Sequence, residues 1–110
     1  MIDLARLNDL RSEIGVDDFQ EVLCLFLEEA DEVVEQLTER PDLQTIESRL
    51  HFLKGSALNL GLSELAVLCQ NGERSAAKGK PQSVDILAVT KCYAASKQQL
   101  MLCLGQSKAA

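Results

Sequence analysis

The chain is short of several residue types, and each shortage narrows its function. It has no tryptophan, only 4 % aromatic residues and two prolines in 110 residues. Acids outnumber bases by 17 to 11, giving a net charge of −6, which disfavours nucleic acid, whose phosphates need a basic surface. No apolar run reaches the ~18 residues of a membrane span. The Met1-Ile2-Asp3-Leu4 start lacks a basic stretch followed by an apolar core, so no secretory leader is expected and a cytoplasmic location is. The four cysteines (Cys24, Cys69, Cys92, Cys103) show no C-x-x-C spacing, and there is a single histidine. No metal site is expected from that set, and the cysteines are read as small core hydrophobes in a reducing compartment. Neither a phosphate-binding G-x-x-x-x-G-K-[ST] loop nor a kinase-type glycine loop is present, so no ATP chemistry is expected.

Leucine, alanine and glutamate abound, and 46 % of residues are hydrophobic. At 110 residues, one all-α domain with one core is expected. Residues 2–12 read as a short amphipathic helix that ends before Gly15. Asp17 or Asp18 can cap the next helix, whose apolar residues from Phe19 to Leu37 recur at steps of three and four. Arg40-Pro41 stops it. Asp42 can cap a third helix, which runs to about Leu60 and closes on a left-handed Gly61. Ser63 starts a fourth helix, ended by Lys78-Gly79-Lys80-Pro81. Gly72 within it serves either a close helix crossing or a local kink, and packing is favoured. Ser83 caps a fifth helix from about Val84 to Leu104. The prediction is an antiparallel up-down-up-down four-helix bundle over residues 17–104, preceded by a short helix within residues 1–14 and followed by a frayed tail, 105–110.

Charge is uneven. Residues 1–50 hold 14 acids and 4 bases, residues 51–110 hold 3 acids and 7 bases. The acid run of the second helix reads as a solvated face. The asymmetry as a whole reads either as solvated helix faces and no more, or as a less acidic surface around His51 that tolerates an incoming anion.

The most informative run is His51-Phe52-Leu53-Lys54-Gly55-Ser56-Ala57-Leu58-Asn59-Leu60-Gly61. Ile46, Leu50, Leu53, Ala57 and Leu60 fall within about 80° of one another on a helical projection and define a buried face. His51 points about 140° from the centre of that face, Gly55 about 180° and Leu58 about 120°. Lys54 lies one turn beyond His51, within reach of the same solvent, although plain snorkelling along the helix would also place it there. An interior helix glycine costs about 1 kcal/mol against alanine, so Gly55 suggests that another backbone must come close beside the imidazole.

His-x-x-Lys-Gly-Ser followed by Asn59-Leu60-Gly61 resembles the central motif of histidine-containing phosphotransfer (HPt) domains. Leu65, Leu68, Cys69 and Glu73 extend the likeness, which covers roughly residues 17–103. Leu50, Ala57, Leu58 and Gly72 depart from the usual family residues without removing a phosphate-handling group. The resemblance implies a phosphoryl carrier without autokinase activity. His51 would accept a phosphoryl group from a receiver-domain aspartate and pass it to another receiver, of a response regulator or a hybrid histidine kinase. Lys54 would be the charge partner of the phosphoryl oxygens, and Gly55 would leave room for the partner's loop. By helical phase Leu58 and Leu62 extend an exposed stripe below His51, which suggests a docking surface for a receiver. Ser56, Asn59 and Gly61 would be structural neighbours of the site. No cofactor is expected on this chain; Mg²⁺ would sit on the receiver. An unperturbed imidazole, titrating near ~6.5, offers a nitrogen lone pair without a base to deprotonate it, so no catalytic triad is needed. A monomer without nucleic-acid or membrane partners is expected. The alternative is a helical interaction module that has lost phosphotransfer. A histidine-kinase dimerisation region fits poorly, because Phe52 stands where an acid usually follows the histidine and no proline appears until Pro81.

Overall fold

Helix formation follows the apolar periodicity closely. The computed structural model describes residues 2–39 and 42–109, with side chains through residue 102. The described residues form five α-helices: α1 (Leu4–Ile14), α2 (Val16–Glu39), α3 (Ile46–Leu60), α4 (Ser63–Ala77) and α5 (Ile86–Ala109), with a 3₁₀ turn at Pro81–Ser83 before α5. Among the described residues the one strand-like contact is an antiparallel bridge between Ile2 and Leu62. The fold is thus all-helical, as the sequence predicts.

The long helices α2, α3, α4 and α5 pack each on the next, and α5 closes back onto α2. The α3–α4 seam is the most extensive. Leucines carry the core: Leu23 and Leu37 of α2, Leu50 and Leu53 of α3, Leu65 of α4 and Leu100 of α5 are all at most 1 % exposed. Each such burial contributes about 1.5–3 kcal/mol, so the three-four stripes orient every helix about its own axis. On α3, fixing that orientation decides what faces solvent.

Helix ends differ in part from the sequence reading. Gly61 adopts the left-handed conformation (φ 76°), and the Leu62 amide bonds back to Ala57 O at 2.8 Å, closing α3 as expected. Asp42 does not cap α3 directly. Its carboxylate accepts from the Gln44 amide at 2.9 Å in a turn that leads to Thr45, the residue before the helix. Nor does Ser83 cap α5. Pro81 opens a 3₁₀ turn instead, Ser83 Oγ donates to Lys80 O, and Asp85 accepts from the Ala88 amide at 3.0 Å as the actual cap. The Arg40-Pro41 stop lies outside the described residues. So do the side chains of Cys103 and of the expected frayed tail; α5 itself is assigned as far as Ala109.

Gly72 is a packing glycine. A Cβ there would meet Leu50 Cδ1 at 2.7 Å and Val84 Cγ1 at 3.2 Å. Of the cysteines, Cys69 is buried and Cys92 half-buried, but Cys24 is exposed, against the expectation of a core role. It stands next to Leu23 on α2, just outside the stripe that Leu23 and Leu27 bury.

Candidate functional site

On α3 the buried stripe of Ile46, Leu50, Leu53, Ala57 and Leu60 turns the opposite face outward. His51 is on that face, with 71 % of its side chain exposed. Phe52 and Leu58 are exposed beside it. A Cβ at Gly55 would meet no atom within 4 Å, so nothing inside the domain requires glycine there. Ser56 is buried, away from the imidazole. Asn59 accepts from Arg6 Nη2 at 3.4 Å.

Leu62 does not extend the exposed face. It is 1 % exposed. The left-handed turn at Gly61 breaks the helical phase that would have placed Leu62 below Leu58, and the bridge to Ile2 covers it.

Two residues of α4 complete the site. Gln70 and Glu73, three apart, occupy one face of α4 toward α3. Glu73 Oε2 lies 3.1 Å from His51 Nδ1. Lys54 Nζ donates to Gln70 Oε1 at 3.2 Å and lies 3.0 Å from Glu73 Oε1. That oxygen is fully buried and receives no aligned hydrogen bond, so its pairing with the ammonium is Coulombic rather than directional. The Lys54 and Glu73 side chains are only 18 % and 15 % exposed. Lys54 is therefore anchored at the α3–α4 seam, not a free lysine on the solvent face.

The chemistry of this arrangement follows from donor and acceptor roles. An ionised carboxylate only accepts, so a neutral His51 facing Glu73 places its one N–H on Nδ1. The lone pair is then on Nε2, the nitrogen not engaged by Glu73, in a side chain that stands largely in solvent. Beneath the site, burial pushes the Cys69 thiol up to about 12, with the Glu73 and Cys92 charges adding to the effect and Lys54 opposing it. Cys69 thus stays protonated and inert. Among the described residues, no three His, Cys, Asp or Glu side chains converge as a metal site would need. No helix among them is long and apolar enough to cross a membrane.

Gln70 was not singled out by the sequence, and Glu73 entered only as part of a family likeness. The available signal was their i, i+3 spacing on the helix after the histidine, which becomes informative once the α3–α4 register is known.

Neither a curated protein nor a solved structure matches the chain. The model of the Hpt domain family matches residues 21–99, a span that holds His51, Lys54, Gln70 and Glu73 alike. A lone exposed histidine on a helical bundle, backed by a half-buried lysine–carboxylate pair and matched over most of its length, places the chain in the Hpt domain family, with a role in histidine phosphotransfer in two-component signalling.

Proposed function

We propose that this domain is a phosphorelay intermediate whose His51 Nε2 takes a phosphoryl group from a receiver-domain aspartate and delivers it to the aspartate of another receiver. The observation that carries the reading is the divided imidazole: Nδ1 is engaged by Glu73 while the ring stands in solvent. In the forward step Nε2 attacks phosphorus, the P–O bond of the aspartyl phosphate breaks and its carboxylate leaves. The ring keeps its Nδ1 proton, and Glu73 stabilises the positive charge that develops. Delivery is the reverse, with the N–P bond breaking as a new P–O bond forms. Lys54 offers positive charge one turn from His51, held ready by Gln70 and Glu73 rather than ordered at the moment of reaction. Gly55 leaves room for the visiting loop, and Leu58 supplies apolar docking area. Mg²⁺ belongs to the receiver, and this chain needs no cofactor of its own. The working form is a cytoplasmic monomer, reached by diffusing receivers or by a hybrid kinase.

A phosphorylated receiver mixed with the protein should produce acid-labile, alkali-stable label on His51, and His51→Gln should abolish it. No label from any active receiver would favour the interaction-module alternative, and label acquired from ATP alone would contradict the carrier reading. Lys54→Ala should slow transfer about tenfold or more with the helical signal retained; an unchanged rate removes Lys54 from its role.

A further inference from the structure

Residues 2–14 lie before the stretch that the family matches, yet they are bonded to the end of the phosphosite helix. The Asp3 amide donates to Gly61 O at 2.7 Å. Ile2 pairs with Leu62, and Arg6 Nη2 reaches Asn59 Oδ1. Asp3 is also the cap of α1, accepting from the Arg6 amide at 3.1 Å, so one residue both begins α1 and ties down the end of α3. Leu7 and Leu10 bury their side chains in the common core. The approach is close: a Cβ at Gly61 would lie 2.6 Å from Asp3 O. The two backbones meet because residue 61 has no side chain.

The last turn of a helix leaves carbonyls unpaired and is ordinarily the first part to open. Leu58 belongs to that turn in α3, and Asn59 and Gly61 just after it are both held by the N-terminal segment. We propose that residues 2–14 form a positioning strap that, through Asp3–Gly61 and Arg6–Asn59, holds the last turn of α3 and its exposed Leu58 in the geometry on which a receiver docks. Asp3 and Arg6 act through residues 58–61. His51 lies about 10 Å further along the helix axis, beyond their reach. The docking half of this proposal rests on the phosphorelay reading; the strap itself does not.

The test uses the full chain carrying Asp3→Pro with Arg6→Ala, which removes one donor to Gly61 and one to Asn59. Amide hydrogen exchange across residues 58–62 should accelerate at least about tenfold while residues 50–54 keep their protection. Phosphoramidate needs no docking: its P–N bond breaks, ammonia leaves and an N–P bond forms on His51. Its labelling rate should match the unaltered protein. With a receiver charged by acetyl phosphate, KM should rise about 3- to 10-fold and kcat should stay within about twofold. Should the double variant fail to fold, Arg6→Ala alone releases Asn59 and should give the same pattern in smaller measure. Unchanged exchange across 58–62 overturns the strap, and faster exchange with an unchanged KM overturns its docking role. If the unaltered protein takes label from phosphoramidate but from no receiver, the phosphorelay reading fails, while hydrogen exchange still decides the strap.

Discussion

Glu73 and Asp31 each hold a lysine and one further polar side chain across a helix seam, Glu73 between α3 and α4, Asp31 between α2 and α5. Asp31 uses both oxygens. Oδ1 accepts from Tyr93 OH at 2.6 Å and from Lys97 at 3.0 Å, and Oδ2 from Lys97 at 2.8 Å. Burial acts to raise the Asp31 carboxyl, but the hydrogen bonds from Lys97 and Tyr93, with the ammonium's charge, outweigh it and lower it. Burial and the same carboxylate push the Tyr93 hydroxyl far above its ordinary value. Every reactive end of that cluster is turned inward or consumed. The Glu73 cluster is built from the same kinds of part, but the second partner of its carboxylate is a ring with two nitrogens. One nitrogen is spent on the carboxylate and the other is left at the surface. A saturated network serves as a fastener; a network with one unsatisfied atom at its edge can do chemistry.

Breaking the open cluster should have the largest effect. Glu73→Ala leaves Lys54 in the seam without its counter-charge and frees the imidazole to rotate. Phosphotransfer from a receiver should fall about 10- to 100-fold, with a stability loss of about 2 kcal/mol in urea unfolding. An unchanged rate would mean that ring orientation does not limit transfer.

Next come two glycines that set the faces of this seam apart. Gly72→Ala drives a methyl into Leu50 and Val84 and should cost about 1–3 kcal/mol, seen as a lower Tm with transfer intact. Gly55→Ala meets open space and should stabilise by about 0.5–1 kcal/mol while slowing transfer from a receiver. If Gly55→Ala stabilised the fold and left transfer unchanged, the argument for a visiting backbone would fail.

The smallest effect belongs to the closed cluster. Lys97→Ala should cost only about 0.2–1 kcal/mol, because the pair is partly exposed, and should leave transfer unaltered. Since the folded state lowers the Asp31 carboxyl, its contribution is complete above the unfolded value of about 3.9 and is lost as pH falls through the folded one. Asp31→Asn should therefore flatten the loss of stability below about pH 4.

The two clusters also differ in how far the sequence discloses them. His51, Gly55 and Leu58 could be placed from one helix's periodicity, because the buried stripe alone fixes the opposite face. Gly61 was readable as a cap, and Gly72 as a close crossing, from their positions near leucines. Glu73 meets His51 across 22 residues of sequence, and Asp31 meets Lys97 across 66. Such pairs depend on how neighbouring helices slide and rotate against each other, which a single helix's pattern does not encode. Leu62 was misplaced for a related reason: helical phase was carried through a glycine that ends it. Ser83 lost the capping position because Pro81 began a tighter turn two residues earlier.

The fully covered sulfur of Cys69 has a consequence for selectivity. Thiolates usually outcompete imidazoles for electrophiles, and Cys69 lies buried on α4 one turn before Glu73. Burial pushes that thiol up to about 12, so it presents no thiolate to an arriving phosphorus centre. The domain can thus carry a sulfur atom near its working surface without diverting the group it handles into an S-phosphoryl dead end.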